Sequence, residues 1–140
     1  MHLTNEAKPQ PPLEVTSGDI LAGFSKVVSN PNKMNLVIVL SENCQYCSNS
    51  IPFFKKIVNK ASSSGIKVVF GVDSNSNPNR VKNMLLDGGV NTSEIVQIDR
   101  SEWKIPYVPT ILLINQYGKV LHYWKGQLNE KNSENVLEYF

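Results

Sequence analysis

Cys44 and Cys47 are the two cysteines of a 140-residue chain, and two residues stand between them. Thiols at this spacing can do two things. They can make and break a disulfide and so exchange electrons, or they can supply half of a tetrahedral metal site. A purely structural disulfide fits poorly, because the stabilisation grows with the loop closed and a two-residue spacer closes almost none. Structural zinc normally takes four protein ligands. The other soft ligands are His2 and His122, and His2 falls in a stretch that reads as a loose tail. Redox exchange is the favoured chemistry, with a thiolate carrier of one metal ion, or a redox-silent binding module, as the alternative.

The thiolate is the reactive form, so the elements around the pair matter. Leu36–Leu40 is an apolar, β-branched run that predicts a buried strand. Beyond the pair, Ile51, Phe54, Ile57, Val58 and Ala61 recur at helical spacing. The pattern is strand, tight turn, helix, with Cys44 at or just before the helix start and Cys47 in its first turn. The first N–H groups of a helix are unpaired and carry partial positive charge. A thiolate there is stabilised below its reference pKa of about 8.5. The helix dipole contributes at most about 2 kcal/mol, or roughly 1.5 pKa units. Cys44, nearer the loop, is the expected nucleophile. Cys47, more shielded, is expected to close the disulfide.

Cys44-x-x-Cys47 after an apolar strand, Pro52 in the following helix, and Val108-Pro109-Thr110 before a second apolar strand resemble the thioredoxin-like oxidoreductases. The stretch from Trp103 through Gly118 is most similar to the TlpA/ResA-like branch. The resemblance covers about residues 18–140. It implies an α/β thioredoxin fold: a central mixed β-sheet flanked by helices, with a helix–strand insertion at about residues 74–100, before the strand that follows a cis proline. It also implies a thiol–disulfide oxidoreductase that acts on protein thiols and disulfides, draws on an upstream redox partner, and needs no cofactor. Pro52 is then the helix-kinking proline; otherwise it is a surface helix break. Pro109 becomes the cis proline facing the pair, with the Val108 backbone free to pair with an extended substrate; otherwise it only starts an edge strand. Gly126 matches a glycine in a loop that passes near the site, or else it merely ends a strand. Gln45, Tyr46, Val108, Pro109 and Gly126 are the expected substrate-binding residues. Trp103 and Tyr107 either join Tyr46 on a partner surface or cover the core.

The chain also departs from the family pattern. Ile38 stands where thioredoxins bury an aspartate, Val69 falls at about the position of its lysine, and Asn43 replaces the tryptophan before the first cysteine. The acid–base relay to the second cysteine is therefore missing; Glu42 either substitutes for it through water or, the favoured reading, is a solvated surface carboxylate. The dipeptide between the cysteines tunes a range of about 150 mV, from about −270 to about −120 mV, or roughly 7 kcal/mol. Gln45-Tyr46 is neither the Gly-Pro of thioredoxin nor the Pro-His of the oxidant DsbA. With no cationic histidine beside the thiolate, a reductant is expected. A thiol peroxidase would need an arginine near the thiolate, and neither Arg80 nor Arg100 adjoins the motif in sequence.

At this length the chain is one domain. Its net charge of +2 with scattered lysines argues against nucleic acid, whose partners show a basic stripe. No apolar run approaches the roughly 20 residues of a membrane span. Residues 1–15, with Pro9, Pro11 and Pro12, read as a flexible tail or tether, and residues 16–140 as the domain. A signal or membrane anchor upstream, an extracytoplasmic location (periplasm or outer cell surface, with the cytoplasm as the alternative) and a monomer are expected. Ser17-Gly18-Asp19 is expected to cap a helix whose face is Ile20, Leu21, Phe24, Val27 and Val28. Strands are expected at 66–72, 94–98, 111–114 and 120–124, a helix starting at Asn77-Pro78, a hairpin turn at Gln116–Lys119, and a last helix around Val136.

Overall fold

The computed structural model describes residues 14–24, 34–92 and 94–140. In chain order the elements are β1 (Asn35–Leu40), α1 (Gln45–Ala61), β2 (Lys67–Asp73), α2 (Pro78–Asp87), β3 (Ile95–Ile98), β4 (Thr110–Ile114), β5 (Val120–Lys125) and α3 (Glu130–Leu137). The strands form one sheet in the order β3-β2-β1-β4-β5. β1, β2 and β3 run parallel, while β4 and β5 are antiparallel. This is the expected thioredoxin fold, and α2 with β3 is the expected helix–strand insertion.

β1 is central and buried along its whole length, as its unbroken apolar run requires. Side chains on a strand alternate between faces. Leu36, Ile38 and Leu40 therefore point to one side, where they meet Phe54 and Ile57 of α1, Val81 and Leu85 of α2, and Val136 of α3. Val37 and Val39 point to the other side, where Leu21, Phe24, Trp103 and Ile105 cover the sheet.

Local chemistry sets the element ends. Asn77 caps α2, its side chain accepting from the Asn79 N–H, and Pro78 occupies the first helical position, where its missing N–H costs nothing. In the β4–β5 turn the Asn115 side chain accepts from the N–H groups of Tyr117 and Lys119. Gly118 follows at φ +81°, and a Cβ there would meet the Phe24 ring at 3.2 Å.

Two N-terminal expectations change. Ile20 is 65% exposed and forms an antiparallel bridge with Lys119 instead of opening a helix. The reason lies in the backbone. The Gly18 N–H is taken by the Val120 carbonyl and the Leu21 N–H by that of Gly118, and Gly18 sits at φ +99°. The segment thus pairs along the hairpin, and of its described residues only Phe24 has helical backbone. Val27 and Val28 lie outside the described residues. Glu14 and Val15, placed at the end of the tail, pack on the domain: Val15 is buried and its N–H donates to the Lys104 carbonyl.

Phe54 is buried and meets Phe70 edge-on, with ring centroids 6.1 Å apart. Phe54→Ala should cost about 3–5 kcal/mol. Urea unfolding should show this as a lower midpoint at unchanged m-value.

Candidate active site

The turn from β1 into α1 sets the first sulfur. Asn43 stands at φ +58°, in the left-handed region that asparagine tolerates better than most residues. A bulky aromatic in its place, as in thioredoxins, would be strained. Cys44 is the N-cap of α1. Its Sγ accepts from the Cys47 N–H at 3.1 Å, so one sulfur satisfies one of the orphan donors of the helix start. Cys47 lies in the first turn and is 0% exposed, whereas Cys44 is partly exposed. The two are joined as a disulfide, with Cα atoms 5.2 Å apart. Pro52 lies inside α1.

Val108–Pro109 is a cis peptide on the segment that opens β4. The Val108 carbonyl oxygen lies 3.7 Å from Cys44 Sγ, and the Pro109 carbonyl accepts from the Gly126 N–H at 2.7 Å. Gly126 sits at φ +80° with open space where a Cβ would stand. Its backbone angle, not a close neighbour, accounts for glycine there. A groove of about 610 Å³ lies next to the pair, lined by Tyr46, Arg100, Pro106, Tyr107, Val108, Lys125, Gly126 and Gln127. Tyr46 and Tyr107 are 62% and 48% exposed. The Lys125 ammonium lies 5.5 Å from the centre of the Tyr107 ring, within cation–π range. Its bond to Glu14 raises the Lys125 pKa.

Most of the expected residues thus come together. Gln45 stands aside from the groove wall, its amide donating to Asn49. Trp103 covers the core: it is buried, and its indole N–H donates to the Ala22 carbonyl. His122 stacks on Trp124 and lies beside Tyr139, while His2 is outside the described residues. Among the described residues no group of three or more His, Cys, Asp and Glu side chains could hold a metal ion.

Cys47 sits in an apolar cluster with Ile38, Leu40 and Val72. Ile38, at the position of the thioredoxin aspartate, faces that cluster, and Val69 faces the opposite one. Glu42 is tied elsewhere: one carboxylate oxygen accepts from the Asn77 N–H and the other pairs with Arg80 at 3.6 Å. It braces the start of α2 instead of being merely solvated.

Sequence reasoning passed over a second polar group. Asp73 Oδ2 accepts from Ser41 and from Arg100. Parallel strands deliver their following loops to one end of a sheet. Ser41 after β1, Asp73 at the end of β2 and Arg100 after β3 therefore meet beside the cysteines. That strand-end placement was the available signal. The Arg100 guanidinium reaches the groove in space although it is distant in sequence, and it spends N–H groups on Asp73, Ile105 and Pro106.

The thioredoxin-like domain family matches residues 24–140. The chain belongs to the thioredoxin-like family. Several solved structures share the fold. StoA of Bacillus subtilis is 20% identical, with a TM-score of 0.63 over 79% of this chain and 84% of that one. A thiol:disulfide interchange protein of Chlorobium tepidum is 19% identical, with a TM-score of 0.61 over 96% and 97%. A secreted Mycobacterium tuberculosis disulfide oxidoreductase is 8% identical, with a TM-score of 0.64 over 89% and 96%. No curated protein sequence matches. The neighbours agree with the TlpA/ResA-like resemblance at the level of fold. A thioredoxin-like domain with Cys44 and Cys47 paired at the head of its helix is a thiol–disulfide oxidoreductase.

Burial raises the Asp73 pKa, but the bonds from the Asn75 N–H, Arg100 and Ser41 outweigh it and hold the carboxyl below its ordinary range. A carboxyl depressed on folding adds stability above its unfolded pKa of about 3.9, and that stability is lost as pH falls through the lower folded value. Asp73→Asn should therefore flatten the acid limb of stability. Urea midpoints taken between neutral pH and pH 2 should fall less steeply for the variant than for the native chain.

Proposed function

We propose that this oxidoreductase reduces disulfides in partner proteins outside the cytoplasm, with Cys44 as nucleophile and Cys47 as the resolving thiol. The observation that carries the reading is the pair's asymmetry. Cys44 is partly exposed and its Sγ takes the Cys47 N–H at the helix mouth, while Cys47 is buried.

The exchange balances. The Cys44 thiolate attacks one sulfur of the partner disulfide and expels the other as a thiolate, leaving a mixed disulfide. Cys47 then gives up its proton, attacks Cys44 Sγ and releases the second partner sulfur. Two electrons pass to the partner, and the Cys44–Cys47 disulfide remains. An upstream dithiol must reduce it again. Neither residue between the cysteines is cationic at neutral pH, and Cys47 is surrounded by apolar side chains. Neither feature favours the thiolate form, which supports the reducing direction.

Partner docking follows from the groove. An extended segment laid against Val108 and Pro109 would set its cysteine beside Cys44, with Tyr46 and Tyr107 flanking it. Aromatic walls of this kind suit protein partners. Gln45, exposed on the first turn of α1, would touch a larger partner beyond the groove. The exported setting draws on the secreted relative, and the proline-rich residues before the domain would serve as a tether. No helix among the described residues is long and apolar enough to cross a membrane.

Insulin reduction with a dithiol donor tests the assignment. Cys44→Ser should abolish turnover, and Cys47→Ser should accumulate a mixed disulfide that survives non-reducing electrophoresis. A Cys44→Ser protein with native turnover would overturn the assignment. Equilibration with glutathione should give a potential nearer about −270 mV than about −120 mV.

A further inference from the structure

The site has two halves from distant parts of the chain. Cys44 follows β1, and Val108–Pro109 precedes β4. One polar network joins them. The Arg100 guanidinium donates through Nε to the Ile105 carbonyl at 3.0 Å, through Nη2 to the Pro106 carbonyl at 2.8 Å and through Nη1 to Asp73 Oδ2 at 3.0 Å. Ile105 and Pro106 lead directly into Val108–Pro109. The same Asp73 oxygen accepts from the Ser41 hydroxyl at 3.3 Å, and Ser41 lies in the turn that ends at Cys44. The Arg100 and Asp73 side chains are 23% and 14% exposed. One carboxylate oxygen thus holds the cysteine turn and, through a single guanidinium, the proline loop.

We propose that Arg100 and Asp73 are positioning residues that fix the Val108–Pro109 docking loop relative to Cys44, so that extended protein segments, more than small disulfides, depend on them. The inference rests on the reading of this site as a protein-disulfide reductase. A guanidinium is planar and holds its N–H groups in a fixed fork. Three acceptors on that fork define both the height and the tilt of the loop. A lysine keeps the charge but concentrates its donors at one point, so it cannot hold two successive carbonyls and a carboxylate in the same plane. Neither Arg100 nor Asp73 contacts a cysteine sulfur in this network. A small disulfide needs only Cys44 Sγ. An extended segment needs the Val108 backbone and Cys44 in register at once, and misplacement by about 1 Å can cost roughly a hundredfold.

The test compares two substrates, insulin and dipyridyl disulfide, in steady-state assays of Arg100→Lys, Arg100→Gln, Asp73→Asn and Ser41→Ala. Both Arg100 variants are expected to lose about tenfold or more in kcat/KM on insulin, mainly through KM, and to lose clearly less on dipyridyl disulfide. Because Arg100 also lines the groove, Asp73→Asn and Ser41→Ala, which do not, are the variants expected to stay within about twofold on dipyridyl disulfide. Arg100→Lys should not rescue. Asp73→Asn should show the same selectivity, and Ser41→Ala a smaller loss of the same kind. Equal loss on both substrates, loss on neither, or full rescue by lysine would overturn the proposal. If the Arg100 variants do not fold, the substrate ratio of Ser41→Ala decides it. A native chain inactive on both substrates would overturn the oxidoreductase reading and this inference together, whereas native activity with an unchanged ratio in the variants defeats this inference alone.

Discussion

The sulfur of Cys44 has two duties that only one location satisfies. It accepts the Cys47 N–H at the start of α1, as a capping side chain does, and in the proposed exchange it is the sulfur that meets the partner disulfide. A cap is worth about 1 kcal/mol, and the helix dipole adds more when the cap is an anion. The helix start is therefore a place that suits a sulfur as hydrogen-bond acceptor. Cys47 meets the opposite environment. It is buried among Ile38, Leu40 and Val72, where burial penalises a thiolate. The first sulfur is capped at the helix mouth on a partly exposed residue, while the second is enclosed. Two cysteines three positions apart acquire different chemistry because one lies at the end of a helix and the other within it.

That location depends on β1. The strand is hydrogen-bonded on both edges, to β2 and to β4, and its side chains are buried on both faces. Nothing in it can shift without disturbing both clusters. α1 is thereby fixed at its first turn, and its apolar face is clamped by Phe54 and Ile57. The replacement of the thioredoxin aspartate by Ile38 fits the same frame. It exchanges a buried acid, costly unless paired, for a side chain that simply packs. The chain gives up an internal proton acceptor and keeps an uninterrupted core.

Much of this was legible in the sequence, for identifiable reasons. The unbroken run Leu36–Leu40, the helical spacing after Cys47, Asn77-Pro78 and the Gly118 turn each carry a local signal, and each became the element it predicts. The cysteine pair was legible because its chemistry depends mainly on one adjacent helix. Contacts between distant segments were not. Ile20 has the spacing of a helical face, but the hairpin carbonyls of Gly118 and Val120 took the neighbouring N–H groups and drew the segment into a bridge. Trp103 could be read as surface or core until the Ala22 carbonyl fixed its indole N–H. Glu42 looked like a solvated carboxylate because its partners, Asn77 and Arg80, lie in an element that sequence spacing does not bring near.

Residues 99–109 show why such contacts are needed. The segment joins β3 to β4 without regular structure, yet it must hold the Val108 carbonyl beside Cys44. Fixing each backbone residue costs about 1–2 kcal/mol of conformational entropy, and no strand ladder offsets it. The compensation is spread along the segment. Asp99 accepts from the N–H groups of Ser101 and Glu102. Trp103 anchors it in the cluster on the Val37 and Val39 face, Lys104 pairs with Asp19, Arg100 grips two of its carbonyls, and Thr110 donates its hydroxyl to the Tyr107 carbonyl. None of these side chains takes part in electron transfer. They convert an irregular connection into a rigid one, and a rigid connection is what lets a carbonyl far along the chain keep a fixed distance from a reactive sulfur. The chemistry of the pair is set by one helix, but its use on a protein substrate is set by how firmly this segment is held.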